Sequence, residues 1–187
     1  MFALLLAATL STSAPATLTP EALRARYGNI QQLTADVLQR KEGRYWARPF
    51  ESRIRLTYTP QRVTWETVSP VASKVVLEGG GMGITGPTGE RRDLGPAGGD
   101  PRLGRLVRFI RALLAFDLPG IERDFILSYG VRELLATPRP DSDLNLFRYV
   151  RLRFDERLDI VSLEFDTDVE HTLLTFANVQ SQPAPPR

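Results

Sequence analysis

The amino-acid sequence predicts a mainly β (α+β) fold, a meander of about ten antiparallel strands with one long helix embedded between its two halves. Three observations carry this. Apolar and polar residues alternate with a period of two through most of the chain, turn chemistry punctuates the runs at short intervals, and one long segment beginning near Arg102 switches to the helical period. With 187 residues and no cysteine, the chain has the length for one domain with a sizeable core, and it has no disulfide framework.

The first 16 residues, MFALLLAATLSTSAPA, combine a short apolar run, small polar residues and the Ala14-Pro15-Ala16 step, the pattern of a secretory signal peptide. The run is too short to span a bilayer, and no cysteine follows it to carry a lipid. A mature chain is therefore expected to begin near Thr17, as one domain over residues 17–180 with a loose Pro-rich tail over 181–187. An exported protein, with its signal cleaved, is expected.

Thr19-Pro20-Glu21 is a helix start, with Thr19 as N-cap and Pro20 in the first turn, and Gly28 ends the helix after Tyr27. From Leu33 the period drops to two, with Leu33, Ala35 and Val37 on one face. The clearest strand is Phe50–Tyr58, where Phe50, Ile54, Leu56 and Tyr58 share a face and charged groups occupy the other. Turn residues Thr59-Pro60-Gln61 lead into a second alternating run, Arg62–Val68, and Pro70 breaks before a third, Lys74–Glu78.

The next stretch, GGGMGITG, contains Gly81, Gly83 and Gly86 in G-x-G-x-x-G spacing. A dinucleotide fingerprint must open a helix, and Pro87, Gly89, Gly95, Pro96 and Pro101 follow instead. These glycines are expected to serve tight hairpins, in which positive φ is permitted, between short strands at 82–85 and 89–94. Then Leu103, Leu106, Val107, Ile110, Leu113 and Leu114 make a single helical stripe, with Arg102, Arg105, Arg108 and Arg111 away from it. Five more strands are expected within 125–129, 131–137, 146–154, 158–165 and 171–179.

Composition removes several functions. The net charge is +2, the only lysines are Lys41 and Lys74, and no basic block interleaved with aromatics marks a nucleic-acid groove. The single histidine, His171, lies beside Glu170 in an alternating strand, so a Ser-His-Asp apparatus is not indicated. The run Asp141–Asn145 starts like a calcium loop, yet Leu146 and Leu152 stand where the turn glycine and bidentate glutamate belong. No metal and no cofactor are expected. Glu66, Glu78, Glu164 and Glu170 are carboxylates that spacing alone does not pair. What remains is apolar surface: a meander with an uncovered concave face and one amphipathic helix to cover it encloses either a dry core or a lipid-sized cavity.

Three stretches resemble the LolA-like periplasmic lipoprotein carriers. Gln32–Gln39 (QLTADVLQ) is similar to the family's first strand, Thr59–Pro70 (TPQRVTWETVSP) to its Pro-x-x-Val-x-Trp-x-x-x-x-Pro signature, and Val75–Gly79 (VVLEG) to the strand and turn that follow. Leu106–Tyr129 also resembles the lid-helix region of a shorter branch. The resemblance implies an open, incompletely closed antiparallel β-barrel with an α-helical lid, which carries acyl chains of a lipoprotein or envelope lipid toward the outer membrane and is not an enzyme. It places Val63, Trp65 and Thr67 on the cavity face. The alternating strand adds Ile54, Leu56 and Tyr58, and the lid stripe adds Leu106, Ile110, Leu113 and Leu114. Implied partners are lipid or lipoprotein acyl chains, an inner-membrane transporter and an outer-membrane acceptor, with a monomeric protein and no nucleic acid. One departure is Thr59, where the carriers have an arginine implicated in lid closing, which favours free lipid or polyene-like cargo over lipoprotein. The rival readings are an enzyme on the same fold, with Tyr58, Glu66 and Glu78 converging, and an envelope sensor module.

Overall fold

In a computed structural model, the described residues are 17–96 and 101–184. The segment read as a signal peptide lies outside them. After helix α1 (Pro20–Tyr27) come strands β1 (Ile30–Gly43), β2 (Phe50–Tyr58), β3 (Arg62–Ser69), β4 (Ser73–Glu78), β5 (Gly81–Thr85) and β6 (Arg91–Pro96). Helices α2 (Pro101–Ala115) and α3 (Leu118–Glu122) follow, and then β7 (Phe125–Gly130), β8 (Glu133–Pro138), β9 (Phe147–Phe154), β10 (Ile160–Thr167) and β11 (Glu170–Pro183).

The eleven strands of the described residues form one antiparallel sheet in the order β6-β5-β4-β3-β2-β1-β11-β10-β9-β8-β7. Every neighbour in that order is a sequence neighbour except the pair β1–β11, which joins the two chain ends at the centre of the sheet. The edges are therefore β6 and β7, and the segment linking them carries α2 and α3. A sheet that does not close leaves two rows of unpaired backbone groups. Here the helical connection spans that seam. The open sheet with a helical lid is the architecture that the resemblance implied, with eleven strands where about ten were expected.

Helix α1 begins as its sequence dictates: the Thr19 hydroxyl accepts from Ala22 N at 3.2 Å, and Gly28 N donates back to Arg24 O at the other end. Leu23 and Tyr27 are its buried face. The Tyr27 hydroxyl donates to Leu158 O at 2.6 Å and accepts from Ile160 N at 3.1 Å, which fastens α1 to the start of β10. Burial drives the Tyr27 phenol far above its ordinary range.

Two local expectations change. The β4–β5 hairpin turns on Gly79 and Gly80, both at positive φ (57° and 80°), whereas Gly81 and Gly83 of the G-x-G-x-x-G spacing are strand residues paired to Glu78 and Val76. Turn type, not phosphate geometry, sets their use. The tail expected to be loose from Ser181 instead starts as strand: Ser181, Gln182 and Pro183 pair with Leu33, Gln32 and Ile30, and Ala184 N donates to Asn29 O at 2.7 Å. A Pro-rich composition masked this, because Pro183 sits at a strand end where a missing N–H costs nothing.

Candidate functional site: a cavity beneath the helix

Register decides which side chains meet on the concave face. From β2 to β5 one column runs Tyr58–Val63–Leu77–Met82 and the next runs Leu56–Trp65–Val75–Ile84. Across the centre, Val37, Gln39 and Lys41 of β1 stand opposite Phe176, Leu174 and Thr172 of β11, which in turn meet Leu163 and Phe165 of β10. Between these two walls and α2 lies a cavity of about 450 Å³, within the span of small-ligand pockets of about 300–1,000 Å³.

Six of the ten side chains expected at the cavity line it: Val63 and Trp65 of β3, and Leu106, Ile110, Leu113 and Leu114 of α2. The other four do not. Ile54 and Leu56 share the concave face of β2 but are sealed beneath other side chains. Tyr58 lines a separate recess of about 270 Å³ on the other flank of α2, beside Arg108, Arg111 and Arg123. There burial pushes its hydroxyl up, against the nearby Arg111 charge. Thr67 is half-buried at the far end of β3, paired with Ile54 and away from the cavity. Strand alternation gives the face of a residue but not its distance from the helix, so β2 was over-assigned.

Sequence reasoning also missed part of the wall. Val75, Leu77 and Met82 come from β4 and β5, and Leu163, Phe165 and Leu174 from β10 and β11. Their signal was the same alternation used for β2. What the sequence does not carry is the β1–β11 pairing that brings the last two strands opposite β3.

The lid is pinned by polar contacts at both flanks. Arg105 forms an ion pair with Asp143 in the β8–β9 loop, and Arg111 Nη2 donates to Pro60 O at 2.8 Å in the β2–β3 turn. Thr59 closes that turn, its backbone N donating to Arg62 O at 2.8 Å. The arginine that reaches this corner thus belongs to the helix, and the strand-end position is occupied by Thr59. Phe109 was left out of the predicted stripe, yet it is fully buried, stacked on Phe125 with ring centroids 4.3 Å apart. The lid is wider than a single stripe.

One end of the cavity is polar. Gln39, Lys41, Thr167, Glu170 and Thr172 line it. Glu170 accepts from Trp46 Nε1 at 2.8 Å, Thr172 Oγ1 at 3.0 Å and Lys41 Nζ at 3.2 Å. Burial acts to raise the pKa of its carboxyl, but the hydrogen bonds from Trp46 and Lys41 and the Lys41 charge outweigh it, and the group titrates below its ordinary value. Gly43 makes the approach possible: its φ is +149°, and a Cβ there would stand 2.2 Å from Val169 O.

The remaining carboxylates are elsewhere. Glu66 and Glu78 alternate out of phase with Trp65 and Leu77 and so point to the convex face, where Glu66 pairs across strands with Lys74 and Glu78 lies 3.8 Å from Arg62. Neither converges with Tyr58. Glu164 is nearly buried on the convex side between Arg151 (3.1 Å) and Arg153 (3.3 Å). His171 meets Asp166 at 3.4 Å. Among the described residues no group of three or more His, Cys, Asp or Glu side chains is placed to hold a metal ion, and no helix is long and apolar enough to cross a membrane.

Compared with solved structures, the chain is similar to a LolA superfamily protein from Nitrosomonas europaea (11% identity over 90% of this chain and 96% of the other, TM-score 0.44). It is similar also to a DUF1329 family protein from Desulfovibrio piger (10%, 87% and 92%, TM-score 0.47) and to lipoprotein LppX of Mycobacterium tuberculosis (11%, 90% and 99%, TM-score 0.44). No family model matches the chain, and no curated protein matches it in sequence.

Proposed function

We propose that this protein is a binding protein, not an enzyme, that shelters acyl chains of a lipoprotein or envelope lipid beneath its lid and carries them across the periplasm toward the outer membrane. The observation that supports this reading is the cavity itself. Its long walls are aliphatic or aromatic side chains contributed by β3–β5, the start of β9, β10, β11 and α2, and its polar groups are confined to one end. A cavity meant only to be packed would be filled by those side chains, because interiors pack to nearly crystalline density.

Energetics fit a shuttle. Each buried methylene contributes about 0.8 kcal/mol, so a single chain is held reversibly and two chains are held firmly. Leu106 and Ile110 of the lid are half-buried and line the cavity, so cargo and lid share the same apolar surface and cargo binding shifts the lid equilibrium. Loading at an inner-membrane transporter and unloading at an outer-membrane acceptor complete the proposal. The leader-like segment over residues 1–16 supports export.

The test is direct. The protein is expressed with its own N-terminal segment in a Gram-negative host, purified and denatured, and its organic extract is analysed by mass spectrometry beside the Ile110→Glu variant. The expected result is a near-stoichiometric lipid in the wild type and its loss in the variant, with unchanged far-UV dichroism. A clean wild-type extract, from protein that also takes up no added lipid, would overturn the carrier reading.

A further inference from the structure

The polar end of the cavity is built in a way that specifies more than a hydrophobic chain. Its hydroxyl protons are already committed: Thr172 Oγ1 donates to Glu170 and Thr167 Oγ1 donates to Glu170 O at 2.9 Å, while the neighbouring Ser52 Oγ on β2 donates to Gln39 Oε1 at 2.9 Å. Both Glu170 carboxylate oxygens accept, one from Lys41 and Thr172 and the other from Trp46. Unspent N–H donors remain at the cavity surface. Lys41 Nζ has three N–H groups and spends one on Glu170, and the Gln39 Nε2 amide has no acceptor among the described residues. The formal charge of the Lys41–Glu170 pair is zero.

We infer that this end recognises a neutral, hydrogen-bond-accepting head group, an ester or amide carbonyl joined to the acyl chain, and discriminates against a free fatty-acid carboxylate. The inference rests on the carrier reading and names the cargo chemistry within it. A carbonyl oxygen accepts from Lys41 and Gln39 while asking for no counter-charge. A carboxylate in the same place meets Lys41 but also the fixed Glu170 carboxylate, and its own desolvation goes uncompensated. A site that pairs its lysine in advance is therefore selective against the anion, since specificity follows from the repulsive partner as much as from the attractive one.

Both tryptophans bear on the measurement: Trp65 lines the cavity and Trp46 hydrogen-bonds the glutamate. Dibrominated stearate quenches tryptophan on contact, so the free acid and its methyl ester are a matched pair differing only in the head group, titrated at pH 8. We expect the ester to bind at least tenfold more tightly. In Glu170→Gln the uncompensated Lys41 charge should cut that ratio at least fivefold by strengthening acid binding, and Lys41→Met should widen it. Circular dichroism checks the fold, and Lys41→Met carries the test if Glu170→Gln does not fold. Equal wild-type affinities for acid and ester, or a ratio that ignores the substitutions, would overturn the head-group inference and leave the carrier reading standing. Failure of both lipids to quench would overturn the carrier reading and this inference with it.

Discussion

The two halves of the sheet flank the same central pair of strands and obey the same alternation, yet one is filled and the other is hollow. On the β7–β9 side, Phe125, Leu134, Ala136 and Val150 are each 0% exposed, and Phe109 stacks on Phe125, with Phe147, which also borders the cavity, tilted against both. Below it, Tyr27 stacks on Phe116 with centroids 3.7 Å apart. On the β3–β5 side, Trp65, Val75, Met82 and Ile84 are only half-buried, and every residue of β5 is intermediate. The difference lies in what stands opposite each half. Helices α1 and α3, with the Phe109 face of α2, close on the first. The second faces the side of α2 that carries Leu106, Ile110, Leu113 and Leu114, across the cavity. A strand's inward face is thus a necessary condition for a dry core and not a sufficient one.

The sharpest way to break this comparison is to truncate one large aromatic on each side. Phe125→Ala removes a fully buried ring from a stack and is expected to cost about 3–5 kcal/mol. Trp65→Ala removes a half-buried ring that borders the cavity and should cost measurably less than Phe125→Ala. Urea denaturation of the two variants measures the contrast, and equal losses would mean that the β3–β5 side is packed as tightly as the other.

A smaller effect sharpens the role of α1 in closing the filled half. Tyr27→Phe keeps the ring stack but leaves Leu158 O and Ile160 N without the hydroxyl that bridges them. Buried groups left without partners cost about 1–3 kcal/mol. The loss should appear in the unfolding free energy while lipid binding persists.

The smallest effect belongs to the polar end of the hollow half. The Glu170 carboxyl titrates below its ordinary value of 4.5 in the folded protein. Its contribution is therefore present above that value and is lost as pH falls through the lower folded pKa. Since the side chain is a quarter exposed, the contribution is modest. In Glu170→Gln the difference in melting temperature from wild type should be constant near neutrality and shrink below about pH 4.5.

Much of this was legible in the residues. Thr19, Pro20 and Gly28 mark α1 to the residue, because caps act through local hydrogen bonds. The inward faces of β1 and β2 follow from alternation, and Trp65 and the Leu106–Leu114 stripe reached the cavity as expected. The misses are of another kind. Ile54 and Leu56 have the right face but lie under other side chains, and Phe109 was not included in the stripe although it is buried against Phe125. Glu170 lies far along the chain from Lys41 and Trp46, with nothing local to join it to them.

By itself, then, the sequence determined the periods, the caps, the turns and the place of the single long helix, because each depends on neighbours a few residues away. The tertiary structure decided which strands face one another. Joining the two halves of the sheet through β1 and β11 pairs Gly43 with Glu170, the two ends of a long chain excursion. That one pairing turns two unremarkable surface-type residues, Lys41 and Glu170, into the polar end of a cavity. Long-range register of this kind is set by the total burial of all eleven strands at once, and no local pattern contains it.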